Sequence, residues 1–161
     1  MRKHSIVIHA TMIIALVLAL SAVVMAADPF VGTWKLNISK SKYNPGPPPK
    51  SSTVNAEAQD NGVRIVVNGV NSEGKPVHQE TTLKYDGKDY PLIVTAGPSD
   101  ITVSVKKVDA NTHDLVVKRA GKETQTGREV VSKDGKTMTR TGKGKNLQGQ
   151  DFNNTLVYDK Q

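Results

Sequence analysis

From residue 51 to the end of the chain, turn residues recur at a spacing of roughly 8 to 14 positions, the punctuation of an all-β meander. The turns are DNG at 60–62, NSEG at 71–74, DG at 86–87, AGPS at 96–99, DAN at 109–111, AG at 120–121, KDG at 133–135 and GKNLQG at 144–149. Glycine, asparagine and aspartate accept the backbone conformations that tight hairpins demand, and the stretches between them are rich in valine, isoleucine and threonine. No helical period appears after residue 27. The spacing predicts strands at 32–38, 52–59, 63–70, 76–85, 89–95, 100–108, 112–119, 122–131, 136–143 and 152–159. Because nearly every connection is short, the expected architecture is an antiparallel up-and-down β-barrel of about 8 to 10 strands; a sandwich would need longer crossings.

Alternation assigns the faces. Trp34, Leu36 and Ile38 share one side of the first strand, and Thr33, Lys35 and Asn37 share the other, so the apolar set is expected to point inward. The same parity selects Val54, Ala56 and Ala58; Val63, Ile65 and Val67; Ile101, Val103 and Val105; and Leu156 with Tyr158. Two strands are mixed. Val77, Leu83 and Tyr85 share a face with Gln79 and Thr81, while Thr124, Thr126 and Arg128 share one with Val130. Two readings of these polar residues are open: they line a wetted cavity, or a slipped register turns them outward.

Residues 39–51, SKSKYNPGPPPKS, contain four prolines, Pro45, Pro47, Pro48 and Pro49. Proline lacks the amide donor and fixes φ, so an extended connection is expected there. Ahead of the first strand, residues 1–26 begin with Arg2 and Lys3, continue through an apolar core from Met12 to Leu20, and end in Val24-Met25-Ala26. This is the layout of a secretory signal peptide cut before Ala27, leaving 27–161 as one exported domain, periplasmic or secreted. The alternative is an uncleaved membrane tether, since Ile6 to Met25 is about the length that crosses a bilayer as a helix. Without cysteine the domain has neither a disulfide nor a lipid-modified cysteine, and its own core must hold it.

The charge of +7 is spread among acids and does not cluster with aromatics, so it solvates strand faces and does not suggest nucleic-acid binding. Catalytic and metal chemistry find little support. His78 and His113 have no third ligand at a close spacing, there is no Gly-x-Ser-x-Gly, and Asp86 and Asp89 sit in a turn. The repeated Gly-Lys pairs are hairpin turns followed by returning strands, because a Walker loop would need glycine where Val130 stands. Asn37-Ile38-Ser39 and Asn153-Asn154-Thr155 fit the glycosylation pattern. No enzyme activity, cofactor or metal is expected.

FVGTWKLN, residues 30–37, resembles the first-strand Gly-x-Trp signature of the lipocalin and fatty-acid-binding-protein superfamily, the calycins. NNTLVYDKQ is similar to the closing strand of fatty-acid-binding proteins, and ETQTGREVVSKDGKTM resembles the hairpin before it. The resemblance implies structural roles for Gly32 and Trp34, with the tryptophan closing one barrel end near the last strand, often beneath a late basic residue. It also implies a carboxylate site in which Arg128 and Tyr158 match two of three positions. Leu156 occupies the third, which breaks the usual pair of cations, and Arg140 on the neighbouring strand stands in if it points inward. The helical lid of that family is replaced here by the proline segment.

Two functions follow as expectations. The first is an exported barrel enclosing a small hydrophobic or amphiphilic ligand, with Arg128, Tyr158, Arg140, Gln79 and Thr81 at the site and no stable membrane insertion after cleavage. The second is a non-enzymatic structural or interaction domain with a filled barrel, a basic exterior and a proline segment available to a partner.

Overall fold

The computed structural model describes residues 27–95, 97–146 and 148–161. Its strands are β1 (Gly32–Leu36), β2 (Ser51–Gln59), β3 (Gly62–Val70), β4 (Pro76–Leu83), β5 (Tyr90–Pro91), β6 (Ile93–Val94), β7 (Ile101–Lys107), β8 (Thr112–Arg119), β9 (Lys122–Val131), β10 (Thr137–Lys145) and β11 (Asp151–Lys160). All pairings are antiparallel, in the order β5-β7-β8-β9-β10-β11-β1-β2-β3-β4-β6. The first strand therefore pairs with the last, Trp34 opposite Lys160 and Leu36 opposite Tyr158. The chain forms a nearly closed β-barrel.

The strand count, 11, exceeds the expected 8 to 10 because the segment at 89–95 divides into two. Tyr90 and Pro91 pair with β7, then Ile93 and Val94 pair with β4. One extended stretch thus zips half its length to each side of the barrel seam. Pro91 has no N–H to give, but its carbonyl accepts a 2.8 Å bond from the Thr81 hydroxyl, so a side chain joins the seam where the main-chain ladder stops. No α-helix occurs among the described residues; a single 3-10 turn follows β1 at Ile38–Lys40. The expected signal segment, 1–26, lies outside the described residues.

The expected inward faces largely pack as a core, with two corrections. Ile38 is 36% exposed because the Asn37 side chain caps the 3-10 turn and swings the chain off the strand path. Ala58 is exposed, lying where the β2–β3 hairpin runs to its turn. Past the 3-10 turn, the proline segment is extended and follows β11, with reciprocal main-chain bonds between Lys42 and Thr155 of 2.7 and 2.9 Å. It completes the wall beyond the end of β1.

One barrel end is solid. Phe30, Trp34, Leu36, Val54, Val131, Met138 and Tyr158 form its core, and Trp34 is fully buried. The indole Nε1–H donates 2.8 Å to the Phe30 carbonyl, satisfying the one polar atom that burial would otherwise orphan. Lys160 is the late basic residue over the tryptophan, its Nζ 4.8 Å from the ring centroid. Gly32 is required beneath it: its φ is +130°, and a Cβ there would lie 2.9 Å from Lys160 Cε.

Candidate functional site

Past this plug the interior opens. A cavity of about 410 Å³ is walled by Ile65, Leu83, Val103, Val105, Leu115 and Leu156, among others. These positions are the inward parity of β3, β4, β7, β8 and β11, so the same alternation that builds the core supplies the apolar wall. Arg119, Gln125, Lys145 and Asn146 line it where strands β8 to β10 turn, at the end away from Trp34.

Two facing inward positions carry no side chain, and one of them, Gly142, lines the cavity. Gly127 and Gly142 are directly opposite each other on β9 and β10, in phase with inward Glu129 and Arg140. A Cβ at Gly142 would lie 3.6 Å from Phe152 Cε2 and 3.9 Å from the Thr126 carbonyl oxygen, both ordinary contacts, so the position tolerates one. Gly127 abuts Leu115, where a Cβ would come within 3.3 Å of the leucine side chain and 2.6 Å of the Thr141 carbonyl.

Below the glycines, Arg140 and Glu129 form the floor. They are cross-strand partners, and Arg140 Nε and Nη2 both contact Glu129 Oε1. Glu129 is 8% exposed, while the Arg140 side chain retains 28%, as befits a group that is deep in the barrel yet borders the cavity. Burial by itself would push the Arg140 guanidinium down, but the Glu129 carboxylate and the Tyr158 phenol hold it above its ordinary range, so it stays charged. Arg140 also sits 5.9 Å from the Tyr158 ring centroid.

His113 lies beside this floor, opposite Glu129 in the β8–β9 register. It is 1% exposed, stacked on Phe30 at 3.7 Å and tilted against Tyr85 at 4.1 Å. Burial lowers its pKa, and the carboxylates of Glu129 and Asp28 oppose that only in part. Among the described residues its Nδ1 has no hydrogen-bond partner. His78, in contrast, is on the outside, 2.7 Å from Asn68.

Of the residues expected at the site, Gln79, Thr81 and Arg140 line the cavity, and so does Leu156. Gln79 and Thr81 thus face the interior and are not turned outward by a slipped register. Tyr158 is in the solid core beneath Arg140 and does not line the cavity. Arg128 is placed elsewhere. Its side chain is on the outer face, bonded to Asp114 through Nε at 2.7 Å and Nη2 at 3.0 Å, and the mutual attraction holds Asp114 below and Arg128 above its usual range.

The adjacent valines at 130 and 131 explain the difference. Val131 is the buried one, at 2%, and Val130 is 40% exposed, so the face of Arg128 and Val130 is the outer one and Glu129 points in. A bulge between Val117 and Lys118 accommodates Thr124 as an extra residue, so Thr124 and Gln125 both reach the cavity wall. Glu129 and Gly142 were not expected at the site. A signal for them does exist: the turn after Val131 places Met138 opposite it, which puts Arg140 opposite Glu129 and Gly142 opposite Gly127.

The described residues contain no group of three or more histidines, cysteines and acids close enough to hold a metal ion. No helix among them is long and apolar enough to cross a membrane. No protein-family model matches the chain, and no curated protein does. Among solved structures, a redesigned β-barrel, mFAP1, bound to DFHBI, is similar over 84% of this chain and 98% of its own, at 16% identity and a TM-score of 0.41. The chemistry of the site rests on the geometry of this chain.

Proposed function

We propose that this protein is an exported, lipocalin-like carrier that encloses a small hydrophobic or amphiphilic molecule in its barrel and performs no catalysis. The observation that carries the reading is the apolar cavity of about 410 Å³, within the range of small-molecule sites. Such walls bind mainly by removing apolar surface from water, about 2.5 kcal/mol for each 100 Å² covered. Polar side chains stand at the floor, Arg140 with Glu129, on the side of β4, Gln79 with Thr81, and around the mouth, where Arg119, Gln125, Lys145 and Asn146 lie. The Gly-x-Trp start, the plug around Trp34 and the Lys160 cover support the superfamily, and the pattern of residues 1–26 supports export. A filled barrel acting only through its exterior fits less well, because a cavity of this size leaves the interior open.

The test is binding of Nile red, an uncharged apolar dye whose fluorescence rises on burial. Saturable binding with one site per chain is expected. Gly142→Leu, which directs a side chain into the cavity from a position that tolerates a Cβ, should abolish it while leaving the far-ultraviolet circular dichroism unchanged. Arg128→Ala should leave dye binding as it was, since that side chain is on the outer face. Absence of saturable binding, or binding that Gly142→Leu leaves intact, would overturn the proposal.

A further inference from the structure

Resting on that reading, the charge arrangement inside the barrel says what class of molecule it takes. Four charged side chains line the cavity among the described residues: Arg119, Glu129, Arg140 and Lys145. Each already has a counter-charge. Arg119 faces Asp100 at 3.8 Å and Lys145 faces Asp151 at 2.7 Å, both pairs out at the solvated mouth, while Arg140 is bound to Glu129 at the floor. Deep in the cavity, therefore, the one cation, Arg140, is already paired, while the two exposed pairs at the mouth hold their partners only weakly.

We propose that the ligand is uncharged, with a hydroxyl, carbonyl or amide as its polar group, and that Glu129 is the residue that excludes carboxylates. A ligand carboxylate reaching Arg140 would displace Glu129, which is 8% exposed and faces it from the adjacent strand, and strand that carboxylate without a counter-charge. An uncharged head makes no such demand. A guanidinium has five N–H donors, of which Nε and one of the Nη2 hydrogens are directed at Glu129 Oε1, so a carbonyl or hydroxyl oxygen accepts from another without opening the pair. A hydroxyl hydrogen is also able to donate to Glu129 Oε2, which Arg140 does not engage. Gln79 and Thr81 add neutral partners on the wall and no charge. Glu129 acts here as a specificity residue: it converts the cation at the floor into half of a neutral pair.

The experiment compares two molecules of equal chain length, 1-decanol and decanoate, as competitors of Nile red on the purified protein at pH 8, where decanoate is ionised. Decanol is expected to displace the dye at a concentration at least about tenfold below that of decanoate, the margin of one lost charge pairing. In Glu129→Gln, which keeps the shape and frees Arg140, the preference should shrink by about tenfold or invert. Decanoate displacing the dye from the unaltered protein as well as decanol, or better, would overturn the inference and leave the carrier reading intact. An unaltered protein that takes up no Nile red would overturn both. The comparison in the unaltered protein decides by itself, so a Glu129→Gln chain that folds poorly does not remove the test.

Discussion

Arg140→Met removes one half of the floor pair and leaves Glu129 facing an apolar wall. Breaking a buried pair on one side costs about 3–5 kcal/mol, because the remaining charge keeps its desolvation without its compensation. Arg140 retains 28% of its side-chain exposure, so water reaches the floor and the lower end, about 3 kcal/mol, applies. For a domain of this size that lowers Tm by roughly 10 °C. Adding Glu129→Leu to the same chain removes the stranded charge, and the double variant should regain most of the loss or exceed the unaltered protein, since apolar replacements of a buried pair are neutral or stabilising by about 1–4 kcal/mol. Urea unfolding followed by circular dichroism on the parent, both single variants and the double variant closes the cycle. A coupling energy of about 2 kcal/mol or more is expected. A value under about 1 kcal/mol, which exposed pairs typically give, would refute the reasoning, because it would mean that Glu129 and Arg140 face water and not each other.

Two further outcomes follow from the solid end of the barrel. Trp34→Ala should cost about 3–5 kcal/mol in the same unfolding assay, as the fully buried ring fills the plug, whereas Lys160→Ala should cost only about 0.5–1 kcal/mol for its contact with the ring face. His113 gives a pH dependence: the unfolded chain takes up a proton near the ordinary histidine pKa of 6.5, while burial between Phe30 and Tyr85 holds the folded value lower, so stability falls as pH drops from about 6.5 toward the folded value. Urea midpoints at pH 7.5 and 5.5 should differ less in His113→Phe than in the parent; an equal fall in both would show that other groups carry the dependence.

The architecture was readable in the sequence because its cues are local. Turn residues and period-2 alternation are properties of a few neighbouring positions, and each hairpin carries its own register, so the strand positions follow from the chain itself except at 89–95, where the division into β5 and β6 depends on which side of the seam each half pairs with. Trp34 was legible as a plug for the same reason, standing in an unbroken alternation with Leu36. Even Glu129 opposite Arg140 is implied by the turn at 132–136. What alternation left undetermined was the face of β9, where Val130 and Val131 offer both parities an apolar residue.

Only closure of the barrel decides the remainder. Pairing β1 with β11 brings Lys160 over Trp34 across nearly the whole chain length, a contact with no local signature. Curvature then makes one face of every strand inner and scarce in space, and that forces Val131 in and Val130 out. With that parity set, Arg128 goes to the surface and Glu129 to the floor, where burial is acceptable only because Arg140 lies across from it. The sequence determined that a barrel forms and where it is plugged; the tertiary structure decided what its interior presents, because the inside of a barrel is shared by strands that are far apart in the chain.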